Sequence, residues 1–105
     1  MKKLVRVDFR ADKDFDKLPK NVQFEFLGLF KALEETGRLE IPYAKKMSGF
    51  KNLYEMRLRL NGQWRVFYAY FDKDLIIVLH IMMKKSQKTP QNDLDTAVNR
   101  LKSYL

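Results

Sequence analysis

The sequence predicts one α+β domain spanning residues 1–105, with the element order β-α-α-β-β-β-α. The expected sheet is curled and mainly antiparallel, carrying two N-terminal helices on one face and a C-terminal helix. Three observations lead there: apolar residues recur at helical spacing before residue 37, they alternate at strand spacing after residue 52, and an Asn-Gly pair separates two of the alternating runs.

Residues 4–9, Leu-Val-Arg-Val-Asp-Phe, alternate apolar and polar with β-branched members, as a short strand does. From Ala11 to Thr36 the period changes. Phe15 and Leu18 precede Pro19, and Val22, Phe26, Leu29, Phe30 and Leu33 follow at three- and four-residue steps, with Phe24 and Leu27 widening the apolar face. This is a helix pair broken near Pro19, whose ring suits a first helical position, and stopped by Gly37, which tolerates the left-handed cap conformation. Helical spacing also makes these phenylalanines core residues before it makes them a ligand box.

Residues 37–52 hold no sustained period and contain Gly, Pro and Ser, which predicts a long loop. Leu53–Leu60 alternates, placing Tyr54, Met56, Leu58 and Leu60 on one face and Glu55, Arg57 and Arg59 on the other. Asn61-Gly62 is a hairpin signal, Gln63–Phe71 a second strand and Asp72-Lys73-Asp74 a tight turn. Leu75–Met83 is nearly continuously apolar, as a strand covered on both faces is. Thr89 and Pro90 read as an N-cap and a first helical residue, and the helix from Gln91 to Tyr104 stripes Leu94, Ala97, Val98 and Leu101, with Asp93 and Asp95 near its positive end.

A chain of 105 residues is long enough to bury one core without covalent staples. It has no cysteine and a single histidine, which excludes disulfides, thiolate zinc sites and histidine clusters, and no cofactor is expected. The start, Met1-Lys2-Lys3-Leu4-Val5-Arg6-Val7-Asp8, lacks the unbroken apolar stretch of a signal peptide, and no run approaches the roughly 20 residues of a membrane span. The expectation is a cytoplasmic protein without a membrane partner.

The net charge is +8, and its distribution is uneven. Residues 37–65 carry Arg38, Lys45, Lys46, Lys51, Arg57, Arg59 and Arg65 against Glu40 and Glu55, and residues 84–88 add Lys84, Lys85 and Lys88. These two stretches hold the whole excess, since the rest of the chain has 11 basic and 11 acidic side chains. Concentrated positive charge is the footprint of a polyanion, because neutralised phosphates release condensed counterions. Composition alone allows a solvated lysine-rich face equally well.

The most informative stretch runs from Leu53 to Pro90: Leu-Tyr-Glu-Met-Arg, then Trp-Arg-Val-Phe-Tyr, then Leu-His-Ile-Met-Met-Lys-Lys-Ser-Gln-Lys-Thr-Pro. It resembles the RelE/ParE superfamily of toxins, and within it the HigB-type, phage-derived branch, whose pattern reads roughly LYELR, YRVFY and LHxFxKKxxKTP. The element order is similar over essentially the full chain, and the motifs span about a third of it. The resemblance implies a RelE-like microbial ribonuclease fold and the toxin of a type II toxin–antitoxin pair. It implies an endoribonuclease that cuts messenger RNA in the ribosome by attack of the RNA's own 2′-hydroxyl, without metal. Its partners would be the ribosome, mRNA and a cognate helix-turn-helix antitoxin.

The same resemblance implies a site. Arg57 stands where the family keeps a basic contact to the scissile phosphate, and Arg65, in Trp-Arg-Val-Phe-Tyr, is the expected principal charge stabiliser. Lys84 or Lys88 would transfer protons or form a second clamp, and Glu55 is a weaker candidate for general base. Lys45, Lys46, Arg59 and Lys85 are the expected RNA contacts. Some relatives carry a Tyr or His in the C-terminal segment, where this chain has Gln91-Asn92-Asp93-Leu94 and leaves the general acid open. His80, inside an apolar strand, reads as packed before catalytic, and Tyr68 and Tyr70 read as core before base-stacking.

Two other function classes compete: a ParE-like inhibitor of DNA gyrase without nuclease activity, and a non-catalytic RNA-binding domain. The basic set at 57, 65 and 84–88 favours the nuclease. A neighbouring reading frame for a helix-turn-helix protein of roughly 100 residues would almost settle the toxin–antitoxin assignment.

Overall fold

The computed structural model describes residues 3–39, 43–47, 49–83 and 91–105. Lys84, Lys85 and Lys88, and the Thr89-Pro90 cap expected for the last helix, lie outside these described residues. The elements run β1 (Leu4–Val7), α1 (Phe9–Asp16), α2 (Lys20–Thr36), β2 (Ala44–Lys46), β3 (Leu53–Arg59), β4 (Gln63–Tyr70), β5 (Leu75–Met83) and α3 (Gln91–Lys102). The strands form one sheet in the order β1-β5-β4-β3-β2, parallel only between β1 and β5.

The first strand is shorter than the alternation suggests. Asp8 ends it by capping α1, its Oδ1 accepting from the backbone N–H groups of Arg10 (2.8 Å) and Ala11 (3.4 Å), so Phe9 is helical. Pro19 sits just before the first residue of α2 instead of within it, with its carbonyl accepting from Gln23 N at 3.0 Å. Gly37 closes α2 as expected, at φ 84°, its N–H donating to Leu33 O.

Alternation sends side chains to two separately packed faces. One face gathers Met56, Val66, Tyr68, Ile76, Val78 and Ile81 under Phe15 of α1 and Val22, Phe26, Phe30 and Leu33 of α2. The other gathers Leu53, Phe67, Ala69, Ile77 and Leu79 under Leu94, Ala97, Val98 and Leu101 of α3. The sheet is therefore sandwiched between helices, which is why β5 is apolar at almost every position. Phe24 and Leu27 do not widen the core: they are 75% and 54% exposed, because α2 meets the sheet along only one stripe.

The expected loop at 37–52 contains β2, a three-residue edge strand paired antiparallel to β3. The 61–62 hairpin forms, with Asn61 at φ 51° and Gly62 at φ 142°; a Cβ on Gly62 would lie 2.9 Å from the Met83 side chain. In β5 the pairing slips between Phe67–His80 and Tyr68–Val78, a bulge at Leu79 that puts Leu79 and His80 on the α3 side together. At the opposite edge, β1 is sealed by one residue of α2: Glu34 accepts from Lys3 N through its carbonyl (2.8 Å) and from Val5 N through Oε2 (2.9 Å).

Candidate functional site

The α3 side of the sheet is apolar at one end and charged at the other. Cross-strand register sets Lys45 opposite Glu55, Arg57 opposite Arg65 and Arg59 opposite Gln63, so these six side chains share one face. Among the described residues, α3 packs on the Leu53, Phe67 and Ala69 end and does not extend over the arginine end. There, Tyr43, Arg57, Leu58, Arg59 and Arg65 line a groove of about 480 Å³.

Three of the groups interlock. Glu55 is buried, and its Oε1 accepts from Arg57 Nε at 3.2 Å and lies 3.4 Å from Arg65 Nε. The two arginines differ in exposure: 38% of the Arg57 side chain is accessible and 8% of Arg65. Arg65 also donates from Nη1 to Trp64 O (3.4 Å) and from Nη2 to Gln63 Oε1 (3.3 Å). Burial pulls the Arg65 pKa below its usual value, Glu55 opposes that, and Arg57 and Arg59 add to it. A guanidinium nevertheless stays charged at any physiological pH.

Of the residues singled out from sequence, the fold brings Arg57, Arg65, Arg59 and Lys45 together. Lys46 pairs with Tyr54 and so belongs to the opposite face. Arg65 is buried, with Met82 as its cross-strand partner in β5 and Glu55 beside its Nε edge. Tyr43 was missed, because the strand that follows it was hidden in the loop; its carbonyl accepts from Arg57 N at 2.7 Å and its ring is half exposed at the groove. An aromatic one residue away from a pair of lysines was the available signal.

His80 lies one strand beyond. Its ring stacks on Phe67 (6.4 Å between centroids, 7° between planes), Nε2 is 2.5 Å from Asp93 Oδ1, and Nδ1 is 3.4 Å from Arg100 Nη1. Arg100 Nη1 also donates to Leu79 O at 2.9 Å. With both ring nitrogens engaged by α3, the histidine serves packing, in line with its apolar setting. Tyr68 and Tyr70 cluster with Tyr54 on the α2 side, at 5.1–6.0 Å between ring centroids, and take no part in the groove.

A family model described as phage-derived protein Gp49-like (DUF891) matches residues 13–102. The chain belongs to this Gp49-like family. No curated protein matches it by sequence. Among solved structures the Gp49-like chain is similar to a mutant of the E. coli toxin RelE in the free state, with 24% identity over 95% of this chain and 98% of that one and a TM-score of 0.76. It is similar to the RelE–RelB complex of the archaeon Pyrococcus horikoshii, with 26% identity over 79% and 96% and a TM-score of 0.63. The toxin–antitoxin complex RelBE2 of Mycobacterium tuberculosis gives 16% identity over 80% and 100%, also at 0.63. The Gp49-like chain thus has the fold of the RelE toxins, and the resemblance to the RelE/ParE superfamily stated from its motifs holds.

Proposed function

We propose that the protein is the toxin of a type II toxin–antitoxin pair and acts as an endoribonuclease on ribosome-bound mRNA. The observation that carries this reading is the groove in which Arg57, Arg59 and Arg65 converge on one open end of the sheet. The likeness to RelE chains solved alone and with their antitoxins supports it.

In this reading the 2′-oxygen of one nucleotide attacks the adjacent phosphorus, the 5′-oxygen of the next leaves, and a 2′,3′-cyclic phosphate remains. The 2′-hydroxyl proton goes to a base and the leaving oxygen receives one. The protein's share is charge stabilisation and proton movement. Arg57 presents its accessible Nη groups to the non-bridging oxygens, and Arg65 supplies a second positive charge behind it. Lys84 and Lys88 take the proton-transfer or clamp role, and Lys45, Arg59 and Lys85 hold the flanking RNA backbone, while Lys46, on the other face of the sheet, is left out of this set. The cognate antitoxin presents an acidic or amphipathic segment to the same basic surface, in the cytoplasm, and its affinity weakens with salt.

Induced expression tests the reading. Growth should stop, and transcripts should shorten by cuts inside translated codons. Intact transcripts accompanied by DNA breaks would assign the fold to gyrase inhibition instead.

A further inference from the structure

We infer that Glu55 is the positioning residue of the groove: its buried carboxylate holds Arg57, and steadies Arg65, so that both guanidiniums address the same phosphate. The inference rests on the nuclease reading and deepens it.

The sheet sets a problem that Glu55 solves. Arg57 and Arg65 are direct cross-strand partners, and Arg59 follows two residues on along the same face. Like charges directly opposite one another repel, and one of this pair is almost wholly desolvated. Left alone, the arginines would swing apart, and Arg57, being half in solvent, would move first. Glu55 is two residues before Arg57 on the same face and diagonal to Arg65, so one carboxylate oxygen accepts a hydrogen bond from Arg57 Nε at 3.2 Å and stands 3.4 Å from Arg65 Nε as an ion pair without hydrogen-bond geometry.

The mode of contact matters as much as its presence. A guanidinium has one N–H at Nε and two on each Nη. Glu55 takes Arg57 by the Nε edge, and among the described residues the Nη groups of Arg57 have no other protein partner. The outer end of the fork, which matches two phosphate oxygens, is left for a ligand. Arg65 spends one Nη1 donor on Trp64 O and one Nη2 donor on Gln63 Oε1, which leaves each Nη one further N–H. Glu55 itself is poorly placed as a general base, since only 2% of its side chain is accessible and Oε1 faces two cations. Lys45, opposite Glu55 on the edge strand, adds a third positive charge to the same row.

The test compares the wild type with Glu55→Gln and with Glu55→Asp, which keeps the charge but withdraws it by one methylene. Three quantities are read: the exchange-protected Nε–H signal of Arg57 by NMR, the affinity for a 2′-O-methylated RNA oligonucleotide that cannot be cut, and kcat on programmed ribosomes across pH. Both variants should lose the protected Arg57 Nε–H signal and about a hundred-fold in kcat, the size of effect expected when a reacting group is misplaced by about 1 Å. Oligonucleotide affinity should change by less than about three-fold or tighten in Glu55→Gln, because an anion leaves a basic surface, and the shape of the pH profile should persist.

Retained Nε–H protection with full kcat in either variant overturns the inference. So does disappearance of the acidic limb of the pH profile in Glu55→Gln, which would make Glu55 the base. Should Glu55→Gln not fold, Glu55→Asp carries the test by the same criteria. A wild type that cuts no RNA sinks the nuclease reading, while the NMR comparison still decides whether Glu55 holds the arginines.

Discussion

Nε2 of His80 in β5 lies 2.5 Å from Oδ1 of Asp93 in α3, and this contact ties the C-terminal helix to the sheet at the border between apolar core and basic groove. With Nδ1 turned to the Arg100 guanidinium, the hydrogen sits on Nε2 and is donated to the carboxylate. Asp93→Ala leaves that N–H unsatisfied at a part-buried site and should cost about 1–2 kcal/mol. Amide hydrogen exchange would report it, with protection lost along α3 before the central strands; uniform loss along the chain would mean that α3 and the sheet open together.

Arg65→Ala should both stop cleavage and unsettle the fold. Deleting a buried cation leaves Glu55 undercompensated, a change that costs about 3 kcal/mol, whereas Arg57→Ala, at a partly exposed position, should shift stability by no more than about 0.5–1 kcal/mol while lowering kcat by about a hundred-fold or more. Urea midpoints and single-turnover rates for the two variants separate these roles. Equal stability in both would show that Arg65 is not held as tightly as its contacts suggest.

The carboxylate of Asp8 carries an acid-sensitive part of the stability. Burial raises its pKa, but hydrogen bonds from the Arg10 side chain, Tyr104 Oη and the Arg10 backbone, with the Arg10 charge, outweigh that and hold it well below the usual carboxylate range. A group depressed in the folded state stabilises fully above its unfolded pKa, about 3.9, and the contribution drains away as pH falls from there toward the folded value. Asp8→Asn should therefore be less stable than the wild type at pH 7 and lose less on acidification from about pH 5 to pH 2. Parallel stability curves for the two proteins over that range would refute the linkage.

Tyr68 hides a hydroxyl that makes no well-formed hydrogen bond among the described residues, with the Tyr70 hydroxyl as its polar neighbour. Burial, together with its neighbours Tyr70 and Tyr54, also pushes that phenol's pKa far up, so it stays neutral. Tyr68→Phe removes an unsatisfied polar atom and keeps the ring stacked on Tyr54, so the variant should match or exceed the wild type by up to about 1 kcal/mol. A lower melting temperature would reveal a partner for that oxygen.

Long periodic segments were legible in the sequence: β5 matches its expected bounds, and the helix break at Pro19 and stop at Gly37 follow local backbone chemistry. Beta2 was not legible, because three residues show no period and exist as a strand only through pairing with β3. The end of β1 was misread because Asp8 fits the alternation as well as it caps a helix, and only the fold decides between them. At the site, the alternation of Glu55, Arg57 and Arg59 told which face they share. It gave no hint that Arg65 is buried, nor that Lys46 and Lys45 part company, since both depend on neighbours distant in sequence.

A sheet can recruit foreign strands wherever a row of amides is left unclaimed. Here Glu34 occupies the outward N–H groups of Lys3 and Val5 with a single residue, and the far edge is only three residues long and carries Lys45 and Lys46. Both margins therefore discourage growth by strand addition, the route to amyloid-like aggregation, by different means: one is plugged and the other is short and charged. A chain built this way can rise in concentration without seeding its own polymerisation, and the plug at Glu34 is the point at which that resistance is most easily lost.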